Sequence, residues 1–189
     1  MQWKKALVMS AVYLCSGAAI ADMPEQYETV EELMEAHQDY TAANHTFHMW
    51  FPQYPRFRLS SLTTANEPES VTYYNNWRAA AYGIYDVFAH TSIPRVTVTA
   101  VPYREASSEK ADDDDFLNDY SILIQIDRDQ ALDALSGLID VDSLTAVKTK
   151  TEQGWEWSED FLDVYYEDRS PGLDALIAEL KPYCNNACE

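Results

Sequence analysis

Histidines are the residues whose spacing comes nearest to a metal or acid–base site. His45 and His48 form an H-x-x-H pair, and His37 lies eight residues before His45. Because imidazole nitrogens bind zinc and copper, the three side chains are candidate metal ligands if one helix or its extension carries them. The H-E-x-x-H frame of zinc hydrolases is missing, and apolar and aromatic residues surround the pair. Packing is therefore favoured over metal binding.

Carboxylates are the second group that could do chemistry. The sequence holds 32 Asp and Glu against 13 Lys and Arg, a net charge of −19. The run Asp112 to Asp115 lacks the glycine and the alternating oxygen ligands of a calcium loop. Among so many carboxyl groups, no acid–base pair of a glycosidase is identifiable. No catalytic residue is assigned, and the charge excludes nucleic acid as a primary partner.

Two tryptophans lie beside acidic residues near the carboxyl terminus. Trp155 and Trp157 flank Glu156, and Glu159 follows two residues later. On a strand the two rings share one face, where they pack in the core or stack on a sugar or a partner, and core packing is favoured. Exposed acids and aromatics together predict a partner-binding face. Its members are Asp112, Asp113, Asp114, Asp115, Trp155, Glu156, Trp157 and Glu159.

The first 21 residues have the pattern of a secretory signal. Lys4 and Lys5 precede an apolar stretch, and Ala19-Ile20-Ala21 matches a small-x-small cleavage site before Asp22. Cleavage leaves 168 residues with 11 basic and 32 acidic side chains, a net charge of −21. We expect one domain over 22–189, located in a periplasm or secreted, with no membrane insertion after cleavage.

Cys184 and Cys188 are the cysteines left after cleavage. In an oxidising compartment such a pair predicts a disulfide. Closing so short a loop stabilises by about 2 kcal/mol at most, so it fastens a tail and does not build the fold. A soft-metal or redox site is the alternative, but Asn185, Asn186 and Ala187 supply no positive or histidine neighbour.

Four helices are needed to position these groups. Thr29 and Glu32 form a capping box, and the second helix carries an aromatic face. The fourth helix takes Ser170 as its cap and Pro171 as its first residue. The predicted ranges are about Thr29–Ala43, Glu67–Ala89, Asp129–Leu138, and Ser170 to just before Pro182.

Strands are predicted between the helices. Arg95–Val101 and Tyr120–Asp127 alternate apolar and polar residues, and Leu144–Lys150 with Trp155–Tyr166 can form a hairpin. The fold class is α+β, with an antiparallel sheet of four or five strands on about four helices. The acidic segment 103–117 is expected to be a mobile loop.

The leading functional hypothesis is an exported, non-enzymatic binding protein whose acidic face engages a basic protein, for example as a periplasmic inhibitor or immunity-type protein. Charge and the missing catalytic frame favour it. One alternative is a small periplasmic hydrolase or metal-dependent enzyme that uses His37, His45 and His48 with carboxylates. Another is a structural component of an envelope assembly. No cofactor is predicted, because residues 22–189 hold four glycines and no Gly-rich phosphate-binding loop.

Overall fold

The computed structural model describes residues 23–51, 55–104, 115–185 and 188. These residues form five α-helices and eight β-strands. The helices are α1 (Val30–His37), α2 (Glu69–His90), α3 (Arg128–Ser136), α4 (Glu159–Tyr165) and α5 (Leu173–Leu180). The strands are β1 (Phe47–Phe51), β2 (Arg56–Leu59), β3 (Leu62–Thr63), β4 (Arg95–Ala100), β5 (Tyr103–Arg104), β6 (Ile122–Asp127), β7 (Lys148–Thr151) and β8 (Gly154–Trp157). The signal segment and most of the predicted acidic loop lie outside the described residues.

The largest sheet has four strands in the order β1-β2-β4-β6. Strands β4 and β6 pair antiparallel, as do β1 and β2, but β2 and β4 run parallel with Arg56 opposite Thr97 and Leu59 opposite Ala100. The α+β class is confirmed, whereas the expectation of a purely antiparallel sheet is wrong. The reason is α2, because a long helix between two strands returns the chain to the same end of the sheet and makes them parallel.

The predicted hairpin after residue 144 is confirmed in part. Strands β7 and β8 pair antiparallel around a turn at Glu152, and Lys148 lies opposite Trp157. The predicted second strand, however, stops at Trp157, and the helix α4, which the sequence did not predict, follows. Ser158 begins that helix, because its hydroxyl accepts a hydrogen bond from the Phe161 amide and acidic residues fill the first turn.

Helix α2 is the centre of the molecule. Every residue from Ala79 to His90 is buried. A Cβ atom added at Gly83 would lie 2.9 Å from the side chains of both Leu59 and Val98, so the helix backbone packs directly on β2 and β4. Helices α3 and α5 also contact α2. The core therefore encloses α2 between the sheet and a layer of helices.

Helix α1 is shorter than predicted. The predicted capping box is confirmed in part, since Thr29 Oγ1 accepts from the Glu32 amide, whereas the Glu32 carboxylate accepts from the Glu28 amide. Gln38 adopts a left-handed conformation with φ 64°, and its amide donates to the Met34 carbonyl, which ends the helix at His37. Helix α5 begins at Leu173 with Gly172 in the cap position, so the prediction of Ser170 as cap and Pro171 as first residue is wrong.

The carboxyl-terminal tail is fastened to the sheet. The sulfurs of Cys184 and Cys188 lie 2.13 Å apart, at the distance of the predicted disulfide. The Asn185 amide donates to the Leu123 carbonyl, and Cys184 forms a bridge with Ile124. The disulfide thus closes the tail beside β6.

Among the described residues, no helix is long and apolar enough to cross a membrane.

Candidate functional site

A stripe of polar side chains runs along the buried helix α2. Arg78, Tyr82, Asp86 and His90 occur every fourth residue, so they lie on one face of the helix. Asp86 and His90 are buried deepest, with exposed fractions of 0% and 1%. Ionisable side chains are rarely buried to this extent unless they are paired. We call His37, Asp86, His90 and Lys148 the ionic cluster.

Asp86 is the centre of the ionic cluster. Nδ1 of His37, the last residue of α1, donates to Asp86 Oδ2 over 3.0 Å. The ammonium of Lys148, the first residue of β7, lies 2.6 Å from Asp86 Oδ1. Burial raises the pKa of Asp86, but the His37 hydrogen bond and the Lys148 charge outweigh burial and lower the pKa below its ordinary value. Asp86 is therefore a carboxylate.

His90 is held in one orientation by the amino-terminal segment. Its Nδ1 lies 2.9 Å from the Glu25 carbonyl oxygen, which can only accept, so Nδ1 carries a proton. Burial lowers the pKa of His90 despite the opposing charge of Asp86. The ring is thus neutral, and its Nε2 presents a lone pair. That atom is buried, has no hydrogen-bond partner among the described residues and lies 3.8 Å from Asp86 Oδ1.

Lys148 is also fixed by an aromatic stack. Its ammonium lies 3.4 Å from the ring centroid of Trp157, and the opposite face of that ring stacks on Phe161 at 4.5 Å. A cation over an indole face is stabilised by the ring quadrupole. Both faces of Trp157 are occupied, which removes this residue as a stacking platform for a sugar.

A cleft opens beside the ionic cluster and has two parts. The cluster pocket has a cavity volume of about 410 Å³. It is lined by His37, Asp39, Lys148, Trp155, Glu156 and Trp157. The tyrosine pocket, of about 510 Å³, is lined by residues that include Tyr40, Arg78, Tyr82, Tyr165 and Tyr166, and it shares Asp39 and Trp157 with the cluster pocket.

Asp39 connects the two pockets. Its Oδ2 accepts a 2.8 Å hydrogen bond from the hydroxyl of Tyr82, one turn before Asp86 on α2. Burial, followed by the charges of Asp86 and Asp39, raises the pKa of Tyr82, so the hydroxyl keeps its proton. Asp39 itself is exposed, and its carboxylate is available at the rim of both pockets.

The structure separates the three histidines named from the sequence. Only His37 belongs to the ionic cluster. His45, with φ 63°, packs against Tyr103, and His48 lies on β1 against Trp50. In the described part of the chain, one group of three His, Cys, Asp or Glu residues has ligand atoms within 4.8 Å of one another, and it is His37, Asp86 and His90.

The structure describes five of the eight residues of the predicted partner face. Trp155, Glu156 and Trp157 line the cluster pocket. Glu159 lies in the first turn of α4, where Oε2 is 3.2 Å from the Arg169 guanidinium. Asp115 is half-buried, and Asp112, Asp113 and Asp114 lie outside the described residues. Three of the eight residues are thus brought together at one opening.

Sequence reasoning missed Asp86, His90 and Lys148. Asp86 and His90 could have been found from the sequence. They form a D-x-x-x-H pair in an otherwise apolar helical segment, which puts two polar groups on a buried face of the helix. Lys148 carries none, since its partner Asp86 is 62 positions away in the chain.

Comparisons of the chain with protein-family models, with curated proteins and with solved structures found no match.

Proposed function

We propose that this protein is an exported binding protein that engages a basic partner protein, and that the cluster pocket receives a lysine or arginine side chain of that partner. The observation that carries the proposal is the pair of exposed carboxylates, Asp39 and Glu156, at a pocket with aromatic walls. The amino-terminal signal pattern supports export to a periplasm or to the medium.

The distribution of charge supports a cationic partner. Asp86 is the one buried carboxylate among the described residues, and the other described Asp and Glu side chains are partly or fully exposed. A surface field of one sign speeds the encounter with an oppositely charged protein and repels anionic ones.

Several of the protein's own cations are already paired. Arg78 binds Glu167, Arg95 Nη2 lies 3.5 Å from Asp127, and Arg128 donates to the carbonyls of Phe88 and Thr91. Because these cations are held by groups of the protein itself, the surplus of exposed carboxylates determines the charge that a partner meets.

The shape of the cluster pocket suits one long cationic side chain. The half-buried Trp155 offers apolar surface to the methylenes of a lysine or arginine, and the rim carboxylates accept from its charged end. An arginine side chain desolvated in a central pocket is a common source of binding energy at interfaces.

The test uses the exported protein as bait. Its amino terminus is first identified by mass spectrometry of the extracytoplasmic fractions, where Asp22 is expected. Immobilised protein then captures partners from those fractions at low and moderate salt. We expect a basic protein whose affinity for the double variant Asp39→Asn/Glu156→Gln is at least about tenfold weaker.

A matched double variant controls for net charge. Asp133→Asn/Glu179→Gln removes the same two charges from exposed positions on α3 and α5. We expect its affinity to change by less than about threefold, since remote charges act chiefly on the association rate. Equal losses in both variants would contradict the role of the pocket, and capture of no basic partner at either salt concentration would contradict the proposed function.

A further inference from the structure

We infer that His37, Asp86 and His90 form a binding site for a divalent transition-metal ion, with Zn²⁺ the best-suited ion. The inference is argued from the donor atoms of the ionic cluster and does not rest on the proposed partner, although both use the cluster pocket. Two imidazoles and one carboxylate are a common zinc donor set.

The donor spacing supports the inference. Tetrahedral zinc with bonds of about 2.0–2.2 Å to nitrogen and oxygen separates neighbouring donor atoms by roughly 3.3 Å. His37 Nδ1 lies 3.0 Å from Asp86 Oδ2, and His90 Nε2 lies 3.8 Å from Asp86 Oδ1. The two distances involve different oxygens of Asp86, and one ligand atom from each of the three residues lies within 4.8 Å of the others. Coordination of an ion therefore requires side-chain rotations that bring the donors closer and a shift of the His37 proton from Nδ1 to Nε2.

The orientation of His90 is an independent observation. Its Nδ1 donates to the Glu25 carbonyl, which leaves the buried Nε2 unpartnered and aimed at the Asp86 carboxylate. A buried imidazole nitrogen without a hydrogen-bond partner beside a carboxylate places two zinc-ligand atoms next to each other. Metal-binding histidines commonly donate their other ring N–H to a backbone carbonyl in this way.

Lys148 competes with the metal for Asp86. Its ammonium lies 2.6 Å from Asp86 Oδ1 and supplies the positive charge of the cluster. The side chain also borders the cluster pocket, so the ammonium has open space into which it can move. A divalent ion in its place compensates Asp86 and gives His90 Nε2 the partner it lacks. Removal of the Lys148 charge should therefore strengthen metal binding.

The cluster pocket leaves room for a water molecule as the fourth ligand of the metal ion. His37 has an exposed side-chain fraction of 20% and lines the cluster pocket, whereas Asp86 and His90 are closed to solvent. Three protein donors and one side facing a pocket leave a position for water, which is the arrangement of catalytic rather than structural zinc sites.

The experiment titrates Zn²⁺ into the untagged exported protein in competition with a chromophoric chelator. We expect one ion per chain, binding at least about tenfold weaker in His37→Gln and His90→Gln, and about tenfold tighter in Lys148→Met. His48→Gln, which changes an exposed histidine on β1, is the matched control and should leave the affinity unchanged.

A second measurement does not depend on how the variants fold. In ¹⁵N spectra of the wild-type imidazoles, stoichiometric Zn²⁺ should shift the signals of His37 and His90 and leave those of His45 and His48 in place. The inference is overturned if the wild-type protein binds no stoichiometric Zn²⁺. Affinity that survives in folded His37→Gln and His90→Gln, or shifts confined to His45 and His48, would also overturn it.

Discussion

At the scale of single residues, Asp86 is the buried carboxylate on which the ionic cluster depends. A buried carboxylate is costly unless opposite charges and donors surround it, and Lys148 and His37 supply both. The loss in the free energy of unfolding therefore depends on whether one member of the Asp86–Lys148 pair is removed or both. Loss of one partner leaves an uncompensated charge in the interior, whereas loss of both leaves neutral side chains of similar size.

Asp86→Asn should destabilise the protein by about 1–3 kcal/mol, because the Lys148 ammonium loses its carboxylate and regains solvent only in part, through the cluster pocket. Denaturant unfolding at neutral pH with a chelator present measures the change in free energy.

Two further variants test this explanation. Asp86→Asn/Lys148→Met should recover most of the lost stability, since no buried charge is left unpaired. Asp133→Asn, on the exposed side of α3, should stay within about 0.5 kcal/mol of the wild-type protein. An Asp86→Asn variant as stable as that control would contradict the assigned role of the ion pair.

At the scale of secondary structure, the contact of α2 with the sheet depends on Gly83. Alanine is the better helix former by about 1 kcal/mol. Here, however, the added methyl group would meet side chains of Leu59, Val98 and Phe57 at 2.9–3.1 Å. Helix propensity therefore favours alanine at position 83, whereas the close packing on the sheet favours glycine.

We expect Gly83→Ala to destabilise by about 1–3 kcal/mol, because overpacking outweighs the gain in helix propensity. Gly137→Ala is the matched control. Gly137 has φ −73° and only a 3.9 Å contact, so alanine there should be neutral or stabilising by up to about 1 kcal/mol. Thermal unfolding of both variants compares them directly, and a stabilised Gly83→Ala would show that α2 does not pack tightly on β2 and β4.

Local signals in the sequence located most elements but not their assembly. Thr29 predicts the start of α1, and the alternation in β4 and β6 predicts both strands, because caps and alternation depend on neighbours in the chain. The sequence predicts a strand where α4 forms, because the apolar residues of α4 follow directly on the alternating Trp155 and Trp157. The ionic cluster joins residues separated by 49 and 62 positions, and no local pattern encodes such pairs.

At the scale of the whole molecule, the dominant property is the net charge of −19. Like charges on a folded surface repel one another, and this self-repulsion lowers the free energy of unfolding. Salt screens this repulsion, and the Debye length falls from about 30 Å at 0.01 M to about 8 Å at 0.15 M.

The melting temperature should therefore rise with sodium chloride between about 0.01 and 0.15 M. Screening of about 1 kcal/mol of repulsion corresponds to a rise of about 2–4 °C for a chain of this size. Differential scanning calorimetry measures the rise, and Asp133→Asn/Glu179→Gln should show a smaller one because it carries less charge. A melting temperature that falls or stays constant over this range would contradict the expected self-repulsion.

The hydrogen bond from His90 Nδ1 to the Glu25 carbonyl links the interior to the first described residues of the chain. Glu25 follows the proposed new amino terminus, Asp22, by only three residues, and Tyr27 and Gln26 attach the same segment to the end of α2. Trimming by a few residues more would remove the acceptor that fixes which imidazole nitrogen of His90 carries the proton. If the proposed cleavage before Asp22 occurs, the nitrogen of His90 that carries the proton is thus set by a residue three positions from the new amino terminus.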